Sequence, residues 1–470
     1  MQDGRYGELS RIYEINMQDG IRNLTEGKIF GQLTRLAAPI MATGFAQMAY
    51  TLVDMAWIGR LGSREMAAVG TVGIILWLTS SLAFLTKAGA EITIAQSVGS
   101  RRLDRARDYA SHTVSISLIV GLFLSIALIL FAHPVIELFR LQTEVAEIAH
   151  EYLQIVCFAL PSVFLVFTFS GIYNGIGRSS VPFYFLTAGL VCNMLLDPIM
   201  IFGINGVGAM GTKGAAIATA VSQILVMILF IINMKRENGI LDRFPFFVKL
   251  EKGYTLTILK LGFPVAAMNC LFAGINFYMA RVASIYGGHL GVMSQTTGSQ
   301  IEGISWNTSQ GFSTALATFV AQNYAAGKIK RTFKAYRYTL MLLFSLGIAV
   351  TLLFLFFGKE IFSLFISETN AVEAGGDYLN IIAYCQLFMM LEITTMGIWN
   401  GYGKTLPPAI VSIAFNLARI PLALTLAPAM GINGVWLAIT VSAVIKGIVS
   451  PVWFRLTIIS RAGRSFTNHI

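Results

Sequence analysis

The sequence predicts an all-α polytopic membrane protein with twelve transmembrane helices, arranged as two pseudo-symmetric six-helix lobes around a central cleft. Three observations predict this fold: the composition, the recurring apolar stretches and an internal repeat. Of the 470 residues, 55% are hydrophobic and only 12% are charged, whereas a soluble domain carries about 25% charged residues. With a mean hydropathy of +0.68, the composition excludes a disordered chain, a collagen-like fibre and most soluble enzymes.

Apolar stretches of about 20 residues, the length of a membrane-spanning helix, recur along the chain. No alternating strand pattern competes with them, and their ends are defined to within several residues. We number these stretches span 1 to span 12 in chain order: 35–57, 67–91, 110–132, 151–173, 181–202, 213–233, 258–283, 294–320, 336–357, 376–397, 407–427 and 433–457.

The basic residues predict how the spans are oriented, because an even number of spans places both termini on one side. Of the 34 basic residues, 25 lie in the N-terminal segment, the even-numbered loops and the C-terminal tail, and five lie in the opposite loops. Cytoplasmic loops carry the excess of Lys and Arg, so we expect both termini in the cytoplasm. The net charge of +10 is therefore an orientation signal, and nucleic acid is not an expected partner.

The two halves of the chain resemble each other at an offset near 225 residues, which indicates duplication of a six-helix unit. Because six is even, both copies enter the membrane from the same side, as in a parallel repeat. Matched segments include Arg35–Pro39 with Lys260–Pro264, Glu151–Gln154 with Asp377–Asn380, and Gly171–Arg178 with Gly397–Lys404. The predicted domains are an N-terminal cytoplasmic segment, a first lobe, a cytoplasmic linker, a second lobe and a cytoplasmic tail: 1–34, 35–234, 235–257, 258–457 and 458–470.

The repeat provides an internal comparison, because a structural residue should match between the halves. Asn193 matches Asn416, so an amide at this position has a structural explanation. Three polar residues of the first half are instead lost in the second: Asp54, Asp197 and Thr219 match Met279, Ile420 and Ile439. The first half therefore holds a polar cluster of its own.

The spacing of these residues predicts a cation site. Gln47, Tyr50 and Asp54 share one face of span 1, and Asn193 and Asp197 lie one turn apart on span 5. A charged Asp in the bilayer centre costs about 2.5–3.5 kcal/mol, so it faces a cavity, a partner or a cation. If the two faces meet, the carboxylates can bind H+ or Na+. The alternative is that the two acids are structural and are satisfied by hydrogen-bond donors at helix ends. Gln47 is also a candidate for a substrate contact.

Two acids in the second half are candidates for a substrate contact or a second-lobe ion contact. Glu302 lies in span 8 and Glu392 in span 10. Arg281, Arg419 and Lys446 also lie within predicted spans, and pairing with them would make the acids structural. Both interpretations remain open for each acid.

The whole chain, over about 430 residues, resembles the multidrug and toxic compound extrusion (MATE) family, in motif most like the DinF-like branch. The motifs that carry the resemblance are Asp54–Gly62, Ala95-Gln96, the Asn-Gly-x-Gly-basic turns, Asp197-Pro198 and Gly214–Ser222. The resemblance implies a secondary active transporter that exports amphipathic, cationic organic compounds in exchange for H+ or Na+ by alternating access of two lobes.

Site residues are also implied by the resemblance. Asp54, Asn193, Asp197 and Thr219 occupy the positions of the family's cation site, and Tyr50 lies one turn before the first acid. Na+ at Asp54 and Asp197 is the one metal ion that this site implies. Pro39 occupies the position of a hinge in the first helix, although its match with Pro264 also fits a kink that both lobes need for packing.

Other classes are weaker alternatives. A flippase for a lipid-linked precursor, from the same superfamily, would need a strongly basic cleft. An enzyme is not expected, because the five histidines are scattered and no HExxH, GxSxG or Walker pattern occurs. We expect no cofactor beyond the coupling ion, a bacterial inner-membrane location and a functional monomer. Substrate identity, the choice of H+ or Na+, and a start at Met1 or Met17 stay open.

Overall fold

The computed structural model describes residues 21–203, 208–236, 241, 245–366 and 368–459. The choice between Met1 and Met17, most of the predicted N-terminal segment, part of the linker and the tail beyond 459 lie outside the described residues. Within the described ranges every regular element is a helix.

Long helices account for all twelve predicted spans, so the predicted fold class is confirmed. A 74-residue helical run, Lys252–Ala325, contains two of them: Gly288 (φ 56°, ψ −147°) interrupts the helical backbone and separates α7 (252–287) from α8 (289–325). A straight helix of 74 residues would be about 110 Å long, several times the thickness of a bilayer core. The other membrane-length helices are α1 Ile29–Gly59, α2 Ser63–Gly99, α3 Leu103–Leu130, α4 Thr143–Gly175, α5 Ser180–Phe202, α6 Thr212–Arg236, α9 Ile329–Ser363, α10 Thr369–Gly401, α11 Leu406–Met430 (divided at Ala418) and α12 Ile432–Phe454. A short helix, Ala132–Glu137, lies between α3 and α4, and a π-helical turn, Arg455–Ile459, follows α12.

The chain divides into two compact units. Of the described residues, the first unit takes 21–27, 38–266 and 321–327, and the second takes 28–37, 267–320 and 328–459. The most buried membrane helix of the first unit is α4, and that of the second is α10, with 72% and 67% of their apolar windows buried. These two helices correspond in the repeat, and each carries residues of a polar cluster. The finer domain limits and the cleft between lobes stay predictions.

The turn after α4 has the same geometry as the turn after α10, as duplication predicts. Gly177 and Gly403 both adopt positive φ (83° and 71°), a conformation that favours glycine. In each unit this glycine donates its N–H to an asparagine carbonyl three residues earlier, Asn174 at 2.9 Å and Asn400 at 2.8 Å. The Asn-Gly-x-Gly-basic motif therefore encodes a helix-ending turn in both halves.

Helix packing is duplicated as well. In the first unit Ser125 Oγ donates to the Cys157 carbonyl at 2.7 Å, and in the second Thr351 Oγ1 donates to the Ala383 carbonyl at 2.9 Å. Each bond joins the third helix of the repeat to the fourth. The same scaffold therefore positions both polar clusters, and differences between them come from their side chains.

Candidate functional site

A polar cluster in the first unit brings together α1, α4, α5 and α6. Asn193 and Asp197 on α5 are 2% and 0% exposed. The Asn193 amide donates to Asp197 Oδ1 at 3.3 Å and to Thr219 Oγ1 at 3.5 Å. The hydroxyls of Tyr50 and Thr219 lie 3.4 Å apart. The structure thus brings together the predicted residues of α1, α5 and α6.

Asp54 lies beside this network, and its charge interacts with that of Asp197. Its Oδ1 atom is buried and has no hydrogen-bond partner among the described residues. A buried carboxylate oxygen without a donor carries the full cost of desolvation. Asp54 therefore offers an acceptor that a proton or a bound cation would satisfy.

Tyr152 on α4 is a member of this cluster that sequence reasoning missed. It is 4% exposed, lies near the Thr219 hydroxyl, and interacts electrostatically with Asp54 and Asp197. The signal was present in the repeat, because Tyr152 belongs to the Glu151–Gln154 segment that matches Asp377–Asn380. The match was explained there by duplication alone.

Two further predicted residues lie on α1 without joining the hydrogen-bond network. Gln47 is exposed, and among the described residues its side chain forms no hydrogen bond with the cluster. Pro39 lies inside α1, where its missing N–H removes one helical hydrogen bond. Pro39 is two residues beyond the point where α1 passes from one compact unit to the other, between Ala37 and Ala38.

Glu302 in the second unit lies in a different environment. Tyr378 Oη donates to Glu302 Oε1, and Gln386 Nε2 donates to Glu302 Oε2 at 3.2 Å. Ser305 Oγ donates to Gln386 Oε1 at 2.8 Å, which adds a contact at the other end of that amide. Both carboxylate oxygens of Glu302 therefore have donors.

Glu392 has a cationic partner. Lys446 Nζ lies 3.0 Å from Glu392 Oε2, and both side chains are nearly buried. Arg419 is 6% exposed, donates from Nε to Ser442 Oγ at 3.2 Å, and interacts electrostatically with Glu392 and Glu302. Pairing of the second-half charges is thus observed for Glu392, while Arg281 is exposed.

The two clusters differ in what they can bind. The first holds two carboxylates surrounded by hydroxyl and amide oxygens, a suitable ligand set for H+ or Na+. The part of the chain that the structure describes contains no group of three or more His, Cys, Asp or Glu arranged for a metal ion. A multi-ligand transition-metal site is therefore not found among these residues.

In the part of the chain that the structure describes, twelve membrane-length helices with buried ionisable clusters define a polytopic membrane protein. The chain belongs to the MatE family, whose model matches residues 39–199 and again residues 264–425. The double match confirms the internal duplication, and it makes the chain a membrane transporter.

Bacterial relatives cover nearly the whole chain. A probable multidrug resistance protein NorM of Thermotoga maritima is 27% identical over 440 residues, 90% of this chain and 91% of the relative. A probable multidrug resistance protein YoeA of Bacillus subtilis is 25% identical over 424 residues, 87% and 89% of the two chains. Among solved structures, a MATE protein in complex with MaL6 superposes with a TM-score of 0.87 at 22% identity, covering 93% of this chain and 98% of that one.

Proposed function

We propose that this transporter exports amphipathic organic cations in exchange for H+ or Na+, and that Asp54 and Asp197 bind the coupling ion. The observation that carries the proposal is the buried Asp54 oxygen without a donor, next to a second buried carboxylate. A buried Asp54 oxygen that lacks a donor, next to a second carboxylate in a low-dielectric site, favours binding of a cation. Export of organic compounds is supported by the names of the relatives, which refer to multidrug resistance.

The surrounding residues would have distinct tasks. Asn193 donates to Asp197, so it holds that carboxylate in place. Thr219 contacts Tyr50 and Asn193 and joins α6 to both other helices. When H+ binds, one carboxyl becomes a donor to its neighbour; when Na+ binds, these oxygens become ligands. Either event changes the contacts between α1 and α5.

Alternating access needs a movement that ion binding controls, and we propose that α1 bends at Pro39. The proline weakens the helix close to where α1 passes between the two compact units. Asp54 lies on the same helix about four turns away, so ion binding there would change the direction of its outer part.

The proposed setting is the inner membrane of a bacterium, with cytoplasmic termini and a single chain as the functional unit. The 25-to-5 distribution of basic residues supports the orientation. A single chain contains both members of the duplicated pair, so no second copy is needed to complete them.

A lipid flippase is not favoured. Such a transporter would bind an anionic headgroup through free basic side chains, whereas Arg419 is buried beside Ser442 and two acids. The relatives that cover the chain are named for multidrug resistance.

The test is efflux of ethidium from proteoliposomes with an imposed pH or Na+ gradient. We expect one of these gradients to drive wild-type efflux, and Asp54→Asn and Asp197→Asn each to reduce it by about 100-fold or more, since each substitution removes an ion ligand. Asp104→Asn, a matched change at the exposed start of α3, is the control. Gradient-driven efflux at the wild-type rate in both site variants would disprove the assignment.

A further inference from the structure

Glu302 in the second unit is held as a fixed anion. Tyr378 and Gln386 each donate to a different carboxylate oxygen, and Ser305 Oγ contacts the amide oxygen of Gln386. A network in which both oxygens accept is satisfied by the carboxylate form. Glu302 nevertheless remains half-buried rather than enclosed.

The backbone of α8 fixes the tyrosine that holds this anion. Gly298 lies one turn before Glu302, and a Cβ atom at Gly298 would overlap the Tyr378 ring. The ring therefore packs directly on the helix backbone, and it also makes an edge contact with the Trp436 ring, with centroids 5.2 Å apart. The carboxylate consequently has a defined position relative to the rest of α8.

A stacked aromatic pair lies one turn beyond Glu302. Trp306 on α8 and Phe272 on α7 have ring centroids 5.9 Å apart and planes within 6° of parallel. Residues four apart on a helix are neighbours on the same face, so the carboxylate of Glu302 and the ring of Trp306 share one side of α8. An anion beside flat aromatic faces is the combination that recognises organic cations.

The protein places a cation of its own against this pair. The Arg419 guanidinium carbon lies 5.8 Å from the centre of the Phe272 ring, and Arg419 interacts electrostatically with Glu302. Guanidinium is a planar, delocalised cation that stacks on aromatic faces. The geometry thus already accommodates the charge and shape of a planar cation, supplied by a side chain.

We propose that Glu302, Trp306 and Phe272 form a subsite for planar aromatic cations, and that Arg419 is the resident cation with which such a substrate competes. The inference rests on the proposed export of organic cations and specifies the substrate class and where it binds. A flat cation would stack on the aromatic pair and pair with Glu302, while the charge of Arg419 would remain balanced by Glu392. A bulky non-aromatic cation would gain the charge contact only.

The experiment is equilibrium binding to the purified full-length protein in detergent, with ethidium as the planar probe and tetrabutylammonium as the non-aromatic probe. We expect Glu302→Gln to weaken binding of both by about tenfold, because both lose the ion contact. Trp306→Leu and Phe272→Leu should each weaken ethidium binding by about tenfold and change tetrabutylammonium binding by less than about twofold.

Arg419→Gln distinguishes a binding subsite from a cluster that is only structural. Removal of the competing cation should strengthen ethidium binding by about threefold or more. Glu360→Gln at the exposed end of α9 and Phe344→Leu on an exposed face of α9 are the matched controls and should bind as wild type. Wild-type ethidium affinity in Glu302→Gln together with Trp306→Leu would overturn the subsite.

The subsite and the proposed function fail in different ways. If wild-type vesicles export ethidium while Glu302→Gln and Trp306→Leu bind it normally, the subsite is wrong and the transport function stands. If the protein binds ethidium through these residues but no imposed gradient drives its efflux, the subsite stands and the coupled-export proposal is wrong.

Discussion

The two polar clusters lie on duplicated helices, yet their charges are balanced in opposite ways. In the first unit, Asp54 has an oxygen without a partner and no Lys or Arg among its described partners. In the second unit, Glu392 pairs with Lys446, and both oxygens of Glu302 accept hydrogen bonds. The same scaffold can therefore hold either a site whose acid has no cationic partner or a site whose acids are paired with side chains of the protein.

Two tyrosines at matching positions of the repeat, Tyr152 and Tyr378, show this difference. Tyr152 on α4 lies near a neutral hydroxyl, that of Thr219. Tyr378, at the matching position on α10, donates to the carboxylate of Glu302. Tyr152 therefore lines a site that has an acceptor without a donor, whereas Tyr378 supplies one of the donors to Glu302.

The largest predicted effect concerns Lys446. Replacing Lys446 by Met leaves the buried Glu392 without its salt-bridge partner, which should lower the free energy of unfolding by about 3 kcal/mol. The double variant Lys446→Met/Glu392→Gln removes both charges and should recover most of that loss. Thermal unfolding of the purified protein measures both, and equal destabilisation in the single and double variants would contradict a buried pair.

A smaller difference should separate the two tyrosines when each loses only its hydroxyl. Tyr378→Phe removes a hydrogen bond to a charged acceptor and should cost about 2 kcal/mol, whereas Tyr152→Phe removes a hydroxyl that faces only the neutral Thr219 hydroxyl and should cost at most about 1 kcal/mol. The same substitution at equivalent positions makes each variant the control for the other. The reverse order in thermal unfolding would show that the second cluster is not the better satisfied one.

The smallest predicted effect has the opposite sign. Asp197→Asn removes one of two neighbouring buried charges, so it should raise the free energy of unfolding by about 1 kcal/mol even as it abolishes coupling, the usual trade-off at a functional site. The matched surface change Asp104→Asn should leave stability within about 0.5 kcal/mol. A clear loss of stability in Asp197→Asn would indicate a structural role for this acid.

Much of the fold could be predicted from the sequence, because lipid requires long apolar helices with internally satisfied backbones. The twelve spans followed from hydropathy and the duplication from repeat matching. The grouping of Tyr50, Asn193, Asp197 and Thr219 was expected from helical spacing, the repeat comparison and the resemblance to the MATE family. The break at Gly288 falls between predicted spans 7 and 8, although the helical run around it continues without a loop.

Other features could not be predicted, since they depend on which helices meet. The loss of Asp54 and Asp197 in the repeat was visible in one sequence, whereas Tyr152 was hidden because its match with Tyr378 looked purely structural. The partners of Glu302 come from α10 and the partner of Glu392 from α12, and only tertiary packing determines which residues these are.

We propose that the first cluster binds the coupling ion and that the second does not. The most direct test of this proposal is ethidium-driven counter-movement of H+ or radioactive Na+ across proteoliposome membranes, comparing Asp54→Asn/Asp197→Asn with Lys446→Met/Glu392→Gln. Ion movement should be lost in the first double variant and retained in the second. Retained ion movement in the first variant with loss in the second would contradict it.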